Sequence, residues 1–262
     1  MAPGPLGRRG GGGGGAGAAR GGGKAPGAGG PGGGGGGRGG GRGRRGGGGG
    51  GGSVVTLYLI RHGETPLNVA RVLQPADTPL SERGHAQARA LAQRLKPMGL
   101  AGILSSDLPR ALQTAQAIAA SCFGAPVPTI ETSDLLQERN FGDLRGRPYD
   151  SLGFDPIASP EAAPGGESIA RFDARVMRAW ALVLRRQAEL GGPMAVVTHG
   201  LVLRAWLQGG RVDLGGQTVP QHLANTALSI VDARVPHRVR TLACAQHLEG
   251  LAGHDGRSLV GG

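Results

Sequence analysis

The chain has 262 residues and a formal net charge of +11, and most of its 54 glycines lie near the N-terminus. Residues 1–52 hold 32 of those glycines and eight of the 29 Lys and Arg, but none of the 18 Asp and Glu. The remainder is close to neutral, so the net charge does not by itself indicate a nucleic-acid-binding face. No apolar stretch is long enough to predict a membrane-spanning helix. Cys122 and Cys244 lie too far apart to indicate a disulfide scaffold or a zinc module.

The N-terminal segment, residues 1–52, consists mainly of Gly, Arg, Ala and Pro and has no aromatic residue. Such a segment cannot bury enough apolar area to offset its backbone entropy, so it is predicted to be disordered. Its Arg-Gly-Gly repeats leave three hypotheses: an inert or misassigned start, an organellar targeting segment, or a contact for RNA. Residues 246–262 are predicted to form a C-terminal tail. We expect a cytoplasmic protein with no membrane partner, and any nucleic-acid contact is expected only through the N-terminal segment.

Residues 53–245 alternate between predicted strands and predicted helices. The first run, Val54–Ile60, is apolar and β-branched without polar alternation, which is typical of a strand buried on both faces. Ser81 is a suitable N-cap for a helix that extends to Lys96 and stops before Pro97. The next predicted elements are a strand at Gly102–Ser105, a helix at Asp107–Ala120 and a weaker strand at Val127–Glu131.

A loop-rich segment, Leu135–Glu167, comes next and is long enough to indicate a functional role. The elements that follow it are a long amphipathic helix, a buried strand, a short helix and a closing pair of strands, at Ser168–Leu190, Met194–Thr198, Leu201–Gln208, Thr226–Val231 and Val239–Ala243. This alternation predicts one α/β domain over residues 53–245, a three-layer sandwich with a mostly parallel central sheet flanked by helices. In such sheets ligands bind beyond the carboxyl ends of the strands.

Two of the buried strands are followed by a His-Gly pair, at residues 62–63 and 199–200. A single histidine in this position is usually structural, but two equivalent pairs at one sheet edge favour a ligand site. Neutral imidazole is a competent nucleophile near neutral pH, and glycine lets a ligand approach the backbone closely. Arg61 precedes the first pair, and Arg110 lies in the first turn of the second predicted helix. Because guanidinium groups bind phosphate through paired hydrogen bonds, the two histidines and two arginines predict a pocket for a dianion.

Further motifs extend this pattern along the chain. They are, in order, Arg61-His62-Gly63-Glu64-Thr65 with Asn68, Pro79-Leu80-Ser81 with Gly84 and Gln87-Ala88, Ser105-Ser106-Asp107 with Arg110 and Gln113-Thr114-Ala115, Leu136 and Glu138 with Phe141-Gly142 and Gly146, Pro164-Gly165-Gly166-Glu167-Ser168, and Thr198-His199-Gly200. With these motifs the sequence resembles the histidine phosphatase superfamily, in its phosphoglycerate mutase-like branch, from Val54 to Asp232. One departure is Pro75, where the family usually has glycine, and we expect it to reshape the loop near the leaving group.

The resemblance implies a role for each site residue. His62 would be the nucleophile that forms a phosphohistidine, and Glu138 would protonate the leaving oxygen and then deprotonate the attacking water. The groups that would bind the phosphoryl oxygens are Arg61, Arg110, His199, Thr65, Asn68 and the backbone N–H of Gly200. Because arginine and histidine supply the positive charge, neither a metal nor a cofactor is expected.

Other acidic residues and histidines are assigned structural positions. Glu64 and Glu167 belong to the motifs, and we expect them to fix loops and helix starts. Five further histidines show no ligand spacing and are interpreted as surface or helix residues, namely His85, His222, His237, His247 and His254.

The resemblance leaves the reaction open between hydrolysis and phosphoryl transfer. A mutase of this family has extra segments that close its site, whereas only 138 positions separate Arg61 from His199 and residues 135–167 are compact. This favours a metal-independent phosphatase acting on a small phosphorylated metabolite, such as a sugar phosphate, a phosphoglycerate, a nucleotide or ribazole phosphate. Arg139, Arg145 and Arg147 indicate either a second negative group on the substrate or plain surface charge. An idle binding protein with an RNA-contacting tail is disfavoured because every pocket residue is present. The sequence predicts no particular oligomeric state.

Overall fold

The computed structural model of the protein describes residues 55–124 and 129–251. The predicted N-terminal tail, residues 53–54 and most of the predicted C-terminal tail lie outside this part of the chain. Within it the strands are β1 Thr56–Arg61, β2 Gly102–Ser106, β3 Glu131–Ser133, β4 Met194–Thr198, β5 Leu228–Asp232 and β6 Val239–Cys244. They form a single sheet in the order β3-β2-β4-β1-β5-β6.

The sheet is mostly parallel, as predicted. Strands β3, β2, β4 and β1 are parallel neighbours. The last two strands form the predicted closing pair, with β5 antiparallel to both β1 and β6. The carboxyl ends of β1, β4 and β2 therefore lie at the same edge, which is the edge where the sequence predicts a ligand site.

The weaker strand predicted at Val127–Glu131 is misplaced. Residues 127–128 lie outside the described part of the chain, and β3 begins only at Glu131 and ends at Ser133. It is a three-residue edge strand whose extent is set by its pairing with β2, where Leu104 faces Glu131 and Ser106 faces Ser133. The β-branched composition of the preceding residues could not show where this tertiary pairing begins.

The helices of the described residues are α1 Pro66–Val69, α2 Glu82–Leu95, α3 Pro109–Cys122, α4 Ile169–Leu190 and α5 Gly200–Gln208. The Ser81 side chain caps α2 by accepting a hydrogen bond from the Gly84 N–H, as its position predicts. The helix predicted from Asp107 begins two residues later, at Pro109. Within this part of the chain no helix is both long and apolar enough to cross a membrane.

Helices cover both faces of the sheet, so the three-layer prediction is confirmed. In β1 the side chains of Leu57 and Leu59 join a core cluster with α4 and α5, whereas Tyr58 and Ile60 join a second cluster with α2 and α3. Side chains alternate between the two faces of a strand, and a strand buried on both faces is therefore apolar throughout. Trp206 of α5 is fully buried in the first cluster, and its indole N–H donates to the Val176 carbonyl.

The segment between β3 and α4 is irregular, as predicted. It contains short 3₁₀ turns at Asp134–Leu136, Gly142–Leu144 and Tyr149–Ser151. Its residues 146–149 are joined to residues 71–73, which follow α1, by backbone hydrogen bonds, including Gly146 N–H to the Leu73 carbonyl. Of the predicted C-terminal tail, residues 246–251 are described and include a 3₁₀ turn at Gln246–Leu248.

Candidate active site

His62 and His199 occupy equivalent positions after the parallel neighbours β1 and β4. Arg61 of β1 pairs with Thr198 of β4, so the residues that follow them, His62 and His199, leave the sheet side by side. The two imidazole rings lie with their centroids 5.1 Å apart and their planes at 57°. Both side chains are fully buried. The structure therefore brings together the two histidines that the sequence singles out.

The ring and backbone of His62 are fixed by hydrogen bonds. Its Nδ1 lies 2.6 Å from the carbonyl oxygen of Gly63, and because a carbonyl only accepts, Nδ1 carries the proton. This tautomer places the lone pair on Nε2. The backbone N–H of His62 donates to the Thr198 carbonyl at 2.9 Å. Its own carbonyl accepts from Asn225 Nδ2 at 3.1 Å and from the Thr226 N–H at 3.2 Å.

Gly63 is required by a close approach of the chain. A Cβ at this position would lie 2.7 Å from the Gly84 carbonyl oxygen, which a real side chain cannot do. Its N–H donates to Thr114 Oγ1 at 3.0 Å, and that hydroxyl donates to the Arg110 carbonyl at 2.8 Å. The end of β1 is thereby tied to the first turn of α3, which carries Arg110.

Arg61 and Arg110 place two guanidinium groups in this buried region. Arg61 is fully buried and donates to the Leu223 carbonyl at 2.5 Å. Arg110 is nearly as buried and donates to the Pro75 carbonyl at 3.4 Å, while its Nε has no hydrogen-bond partner among the described residues. Burial lowers the pKa of Arg110 to about 10, opposed by Glu138 and aided by Arg145 and Arg61, so Arg110 stays charged at neutral pH. Through its carbonyl, Pro75 thus contributes to holding Arg110.

His199 is the N-cap residue of α5 and contacts β2. Its Nε2 lies 2.9 Å from Ser106 Oγ, and its buried Nδ1 has no hydrogen-bond partner among the described residues. Burial lowers the pKa of His199 well below its ordinary value, and Arg110, His62 and Arg61 lower it further. The imidazole is therefore neutral at neutral pH. Gly200 begins α5 directly after it.

Thr65 and Asn68 form a reciprocal cap of the short helix α1. The Asn68 N–H donates to Thr65 Oγ1 and the Thr65 N–H donates to Asn68 Oδ1, both at 3.0 Å. Thr65 Oγ1 donates in turn to Gln74 Oε1 at 2.9 Å, and Asn68 Oδ1 also accepts from Asn225 Nδ2 at 3.2 Å. Both residues are fully buried close after His62 in the chain. These bonds fix the loop that follows His62, and phosphate contact by the two side chains stays a prediction.

Glu138 lies in the same cluster of charges. Its Oε1 accepts from the Arg139 N–H at 3.0 Å, and its Oε2 accepts from the Leu201 N–H at 3.1 Å. Burial raises the pKa of the carboxyl group, opposed by the two backbone hydrogen bonds and by the positive charges of Arg110 and Arg61. A carboxyl group with a raised pKa beside two guanidinium groups is suited to proton transfer.

Arg175 supports Glu138 and is not identified by the sequence analysis. From α4, it donates to the carbonyls of Leu135 and Gln137 at 2.9 and 2.8 Å, and it forms an ion pair with Glu167 at 2.8 Å. The sequence could have pointed to Arg175, because it lies between Phe172 and Ala179 on the buried stripe of α4, where a charged side chain needs partners. Glu167 fixes a loop in this way, as predicted.

Glu64 also has the predicted structural role. Its carboxylate accepts from Ser81 Oγ at 2.9 Å and pairs with Arg83 at 2.5 Å, which ties the loop after β1 to the start of α2.

The described residues, 55–124 and 129–251, contain no group of three His, Cys, Asp or Glu side chains that could hold a metal ion.

The three loop arginines differ in their surroundings. Arg139 is buried and donates to the carbonyls of Ile157, Ser159 and Glu167 at 2.9–3.0 Å, so its guanidinium group holds the loop, which is neither of the two predicted alternatives. Arg147 is exposed. Arg145 is partly buried and close enough to lower the pKa of Arg110, and its side chain has no hydrogen bond or ion pair with the described residues.

Comparison with known proteins assigns the family. Residues 57–241 match the model of the histidine phosphatase superfamily (branch 1). The chain is 39% identical over 160 residues to a Yersinia pestis (strain Pestoides F) protein named "Probable phosphoglycerate mutase GpmB", covering 57% of this chain and 72% of the relative. Two solved structures are similar, Bacillus stearothermophilus YhfR (30% identity, 71% and 95% of the two chains, TM-score 0.59) and alpha-ribazole phosphatase from Shigella flexneri (25%, 73% and 97%, 0.59). The chain therefore belongs to the histidine phosphatase superfamily, whose members are phosphatases or mutases.

Proposed function

We propose that this protein is a metal-independent phosphatase that hydrolyses small phosphomonoesters through a phosphohistidine at His62. The observation that carries the proposal is the tautomer of His62. Its Nδ1 proton is held by the Gly63 carbonyl at 2.6 Å, which leaves Nε2 as the nucleophilic nitrogen among Arg61, Arg110 and His199.

In the first step the Nε2 lone pair of His62 attacks phosphorus and the bond from phosphorus to the leaving oxygen breaks. Arg61 and Arg110 stabilise the charge on the equatorial oxygens, as guanidinium groups do in phosphoryl transfer. The leaving oxygen takes a proton from the carboxyl group of Glu138, whose raised pKa favours the protonated form. The products of this step are the alcohol and N-phosphohistidine.

In the second step a water molecule attacks the phosphoryl group and the phosphorus–nitrogen bond breaks. The Glu138 carboxylate accepts the proton of the water, so the acid of the first step is regenerated. His62 recovers its Nε2 lone pair because the Gly63 carbonyl keeps the other proton on Nδ1 throughout the cycle. Inorganic phosphate leaves, and no net proton is gained by the site.

Hydrolysis is preferred here to phosphoryl transfer between positions of one substrate. The region between β3 and α4 consists of short turns and loops, and Asn140, Arg145 and Arg147 lie along it. Such a compact segment supports a site that water can enter. The mutase alternative is favoured by the name of the Yersinia relative and is tested directly by adding 3-phosphoglycerate and following 2-phosphoglycerate against free phosphate.

We further infer that the substrate has a second anionic group, which would contact Arg145. This guanidinium group is partly buried, lacks a side-chain partner in the described residues and repels Arg110. The three guanidinium groups outnumber the one carboxyl group of this cluster, Glu138, so an excess of positive charge is left until anions neutralise it, and one phosphoryl group is already matched by Arg61 and Arg110. A phosphomonoester with an additional carboxylate or phosphate meets this requirement.

The proposal is tested by turnover of p-nitrophenyl phosphate in the presence of EDTA. After a brief reaction with radiolabelled substrate, quenched protein should contain a phosphoryl group that is labile in acid and stable in alkali. His62→Ala should abolish both turnover and labelling, whereas His85→Ala, a partly buried histidine of α2, should change neither. Full activity of His62→Ala, or dependence of turnover on a divalent metal, would overturn the proposal.

A further inference from the structure

The 3₁₀ turn at Gln246–Leu248 places His247 between Arg94 of α2 and Thr226, a residue whose backbone contacts His62. Arg94 of α2 lies 3.3 Å from His247 Nδ1, and because a guanidinium group only donates, Nδ1 accepts this bond. The proton of the neutral ring is therefore on Nε2, which donates to Thr226 Oγ1 at 2.9 Å. The Thr226 hydroxyl donates its own proton to the Asn225 carbonyl at 2.7 Å. These three hydrogen bonds form a hydrogen-bond chain from Arg94 to Asn225, in which the donor and the acceptor of every bond are determined.

Thr226 has a backbone conformation that needs external support. Its φ is +57°, a left-handed value that is unfavourable for a β-branched residue and persists where the surroundings hold it. In this conformation its N–H donates to the His62 carbonyl at 3.2 Å. The preceding side chain, Asn225, donates to the same carbonyl at 3.1 Å. The position of His62 thus depends on Thr226 staying left-handed.

We propose that His247 is a positioning residue for His62 and acts by holding Thr226 in its left-handed conformation. His247 lies partly exposed in a 3₁₀ turn, in line with the expected surface or helix position, but its two ring hydrogen bonds were not expected. The kinetic consequence rests on the proposed function of His62, whereas the hydrogen-bond chain itself does not.

The charge state of His247 agrees with this role. Burial and, to a smaller extent, the positive charge of Arg94 lower its pKa to about 4, so the ring stays neutral at physiological pH. The other titratable groups nearby are the Cys244 thiol, which accepts from Arg94 at 3.2 Å, and Glu249, two residues further along the chain. Neither lies between His247 and Thr226 in the hydrogen-bond chain.

The first test compares two substitutions of His247 by single-turnover phosphorylation with p-nitrophenyl phosphate. His247→Leu should slow phosphorylation of His62 by about tenfold, the effect expected for loss of a buried hydrogen bond. His247→Gln should stay within about threefold of the original rate, because its carbonyl can accept from Arg94 and its amide can donate to Thr226. Glu249→Gln, an exposed change in the same segment, is the control. An unchanged rate in His247→Leu, or an equal loss in His247→Gln, contradicts the proposal.

The second test repeats the change in a background that does not need support. Glycine adopts a φ of +57° without penalty, so in Thr226→Gly the His247→Leu change should alter the rate by less than about twofold. A further tenfold loss in the double variant would show that His247 acts by another route. Melting temperatures of all variants separate loss of positioning from loss of folding.

The third test does not depend on turnover, and its first measurement uses the unaltered protein. Nitrogen-15 NMR of the unaltered protein at pH 6 should show His247 as the neutral Nε2–H tautomer, and the Nδ1–H tautomer or an imidazolium would refute the proposal. His247→Leu should shift the His62 ring signals, whereas Glu249→Gln should not. If the unaltered protein hydrolyses no phosphomonoester but these signals behave as stated, the proposed function fails while the hydrogen-bond chain stands.

Discussion

The carboxylate of Glu138 accepts a hydrogen bond from the backbone N–H of Leu201, one residue after Gly200 begins α5. The same helix has His199 as its N-cap, so the proposed acid and the second pocket histidine are fixed by one helix start. Helix N-termini stabilise negative charge, which opposes the effect of burial on the Glu138 pKa. The carboxyl group is thereby suited to both protonation states that the proposed cycle requires.

Glu138→Gln should discriminate between leaving groups. The amide keeps an oxygen that accepts from Leu201 but has no acidic proton to donate. Phosphorylation of His62 by an alkyl phosphate should slow by about 10²–10⁴, the usual range for general acid catalysis, because an alkoxide needs a proton to leave. p-Nitrophenyl phosphate should lose much less in the same step, since nitrophenolate leaves unprotonated.

Single-turnover rates are needed for this comparison, because Glu138 is also the proposed base of the second step and its loss would slow both substrates in steady state. Equal losses for the two leaving groups in the phosphorylation step would assign Glu138 to holding the loop, and the acid would then be another residue.

Anion binding should be linked to protonation of His199. In the unliganded site its pKa lies well below the ordinary value because of burial and nearby positive charge, so the ring is neutral at neutral pH. A bound dianion favours the imidazolium, so the bound site takes up a proton. Sulfate, a dianion throughout this range, should therefore bind more tightly as the pH falls from 8 to 6, by up to about tenfold per pH unit.

Calorimetry in buffers of different ionisation enthalpy measures this proton uptake directly. His199→Gln should abolish it, whereas Glu138→Gln should retain it. The reverse result would mean that the Glu138 carboxyl group receives the proton, and the prediction for His199 would be wrong.

The strands and the histidine pairs could be predicted because their signals are local. β1 and β4 are short apolar runs buried on both faces, and the His-Gly pairs follow them directly in the chain. Parallel strands share an edge, so His62 and His199 were expected at the same edge of the sheet, but only the structure shows that β1 and β4 are neighbours. The tautomer of His62 follows from a contact with its own neighbour, Gly63, which the sequence does not reveal.

The supporting residues could not be predicted because their partners are distant in sequence. Asn225 and Thr226 bond the His62 carbonyl from 163 and 164 positions away, and Thr226 was predicted as the start of a strand that in the structure begins only at Leu228. Arg139 was interpreted as either a substrate contact or surface charge, because the sequence shows its charge and not the carbonyls that accept its hydrogen bonds. β3 was misplaced for a related reason, since an edge strand of three residues is defined by pairing with β2.

Removal of residues 1–52 should leave the chemistry unchanged. The first predicted pocket residue in the chain is Arg61, and the composition of the removed segment gives no reason to expect a core contribution. A chain that begins at Ser53 should keep its melting temperature and its rate with p-nitrophenyl phosphate within about twofold, in line with surface changes. A large loss of either would show that these residues belong to the folded domain.

Arg145→Gln should change substrate preference more than catalysis. The matched substrates are 3-phosphoglycerate and glycerol 3-phosphate, which differ in a carboxylate against a hydroxymethyl group. If Arg145 contacts the second anion, kcat/KM for 3-phosphoglycerate should fall by about 10- to 100-fold, the range for a lost hydrogen bond to a charged group. Both substrates should lose some affinity because one positive charge near Arg110 is removed, so the ratio of the two values is the measurement. Arg147→Gln, which alters an exposed neighbour, should leave that ratio unchanged. An unchanged ratio in Arg145→Gln would show that Arg145 does not contact the substrate, and the inference of a second anionic group would then fail.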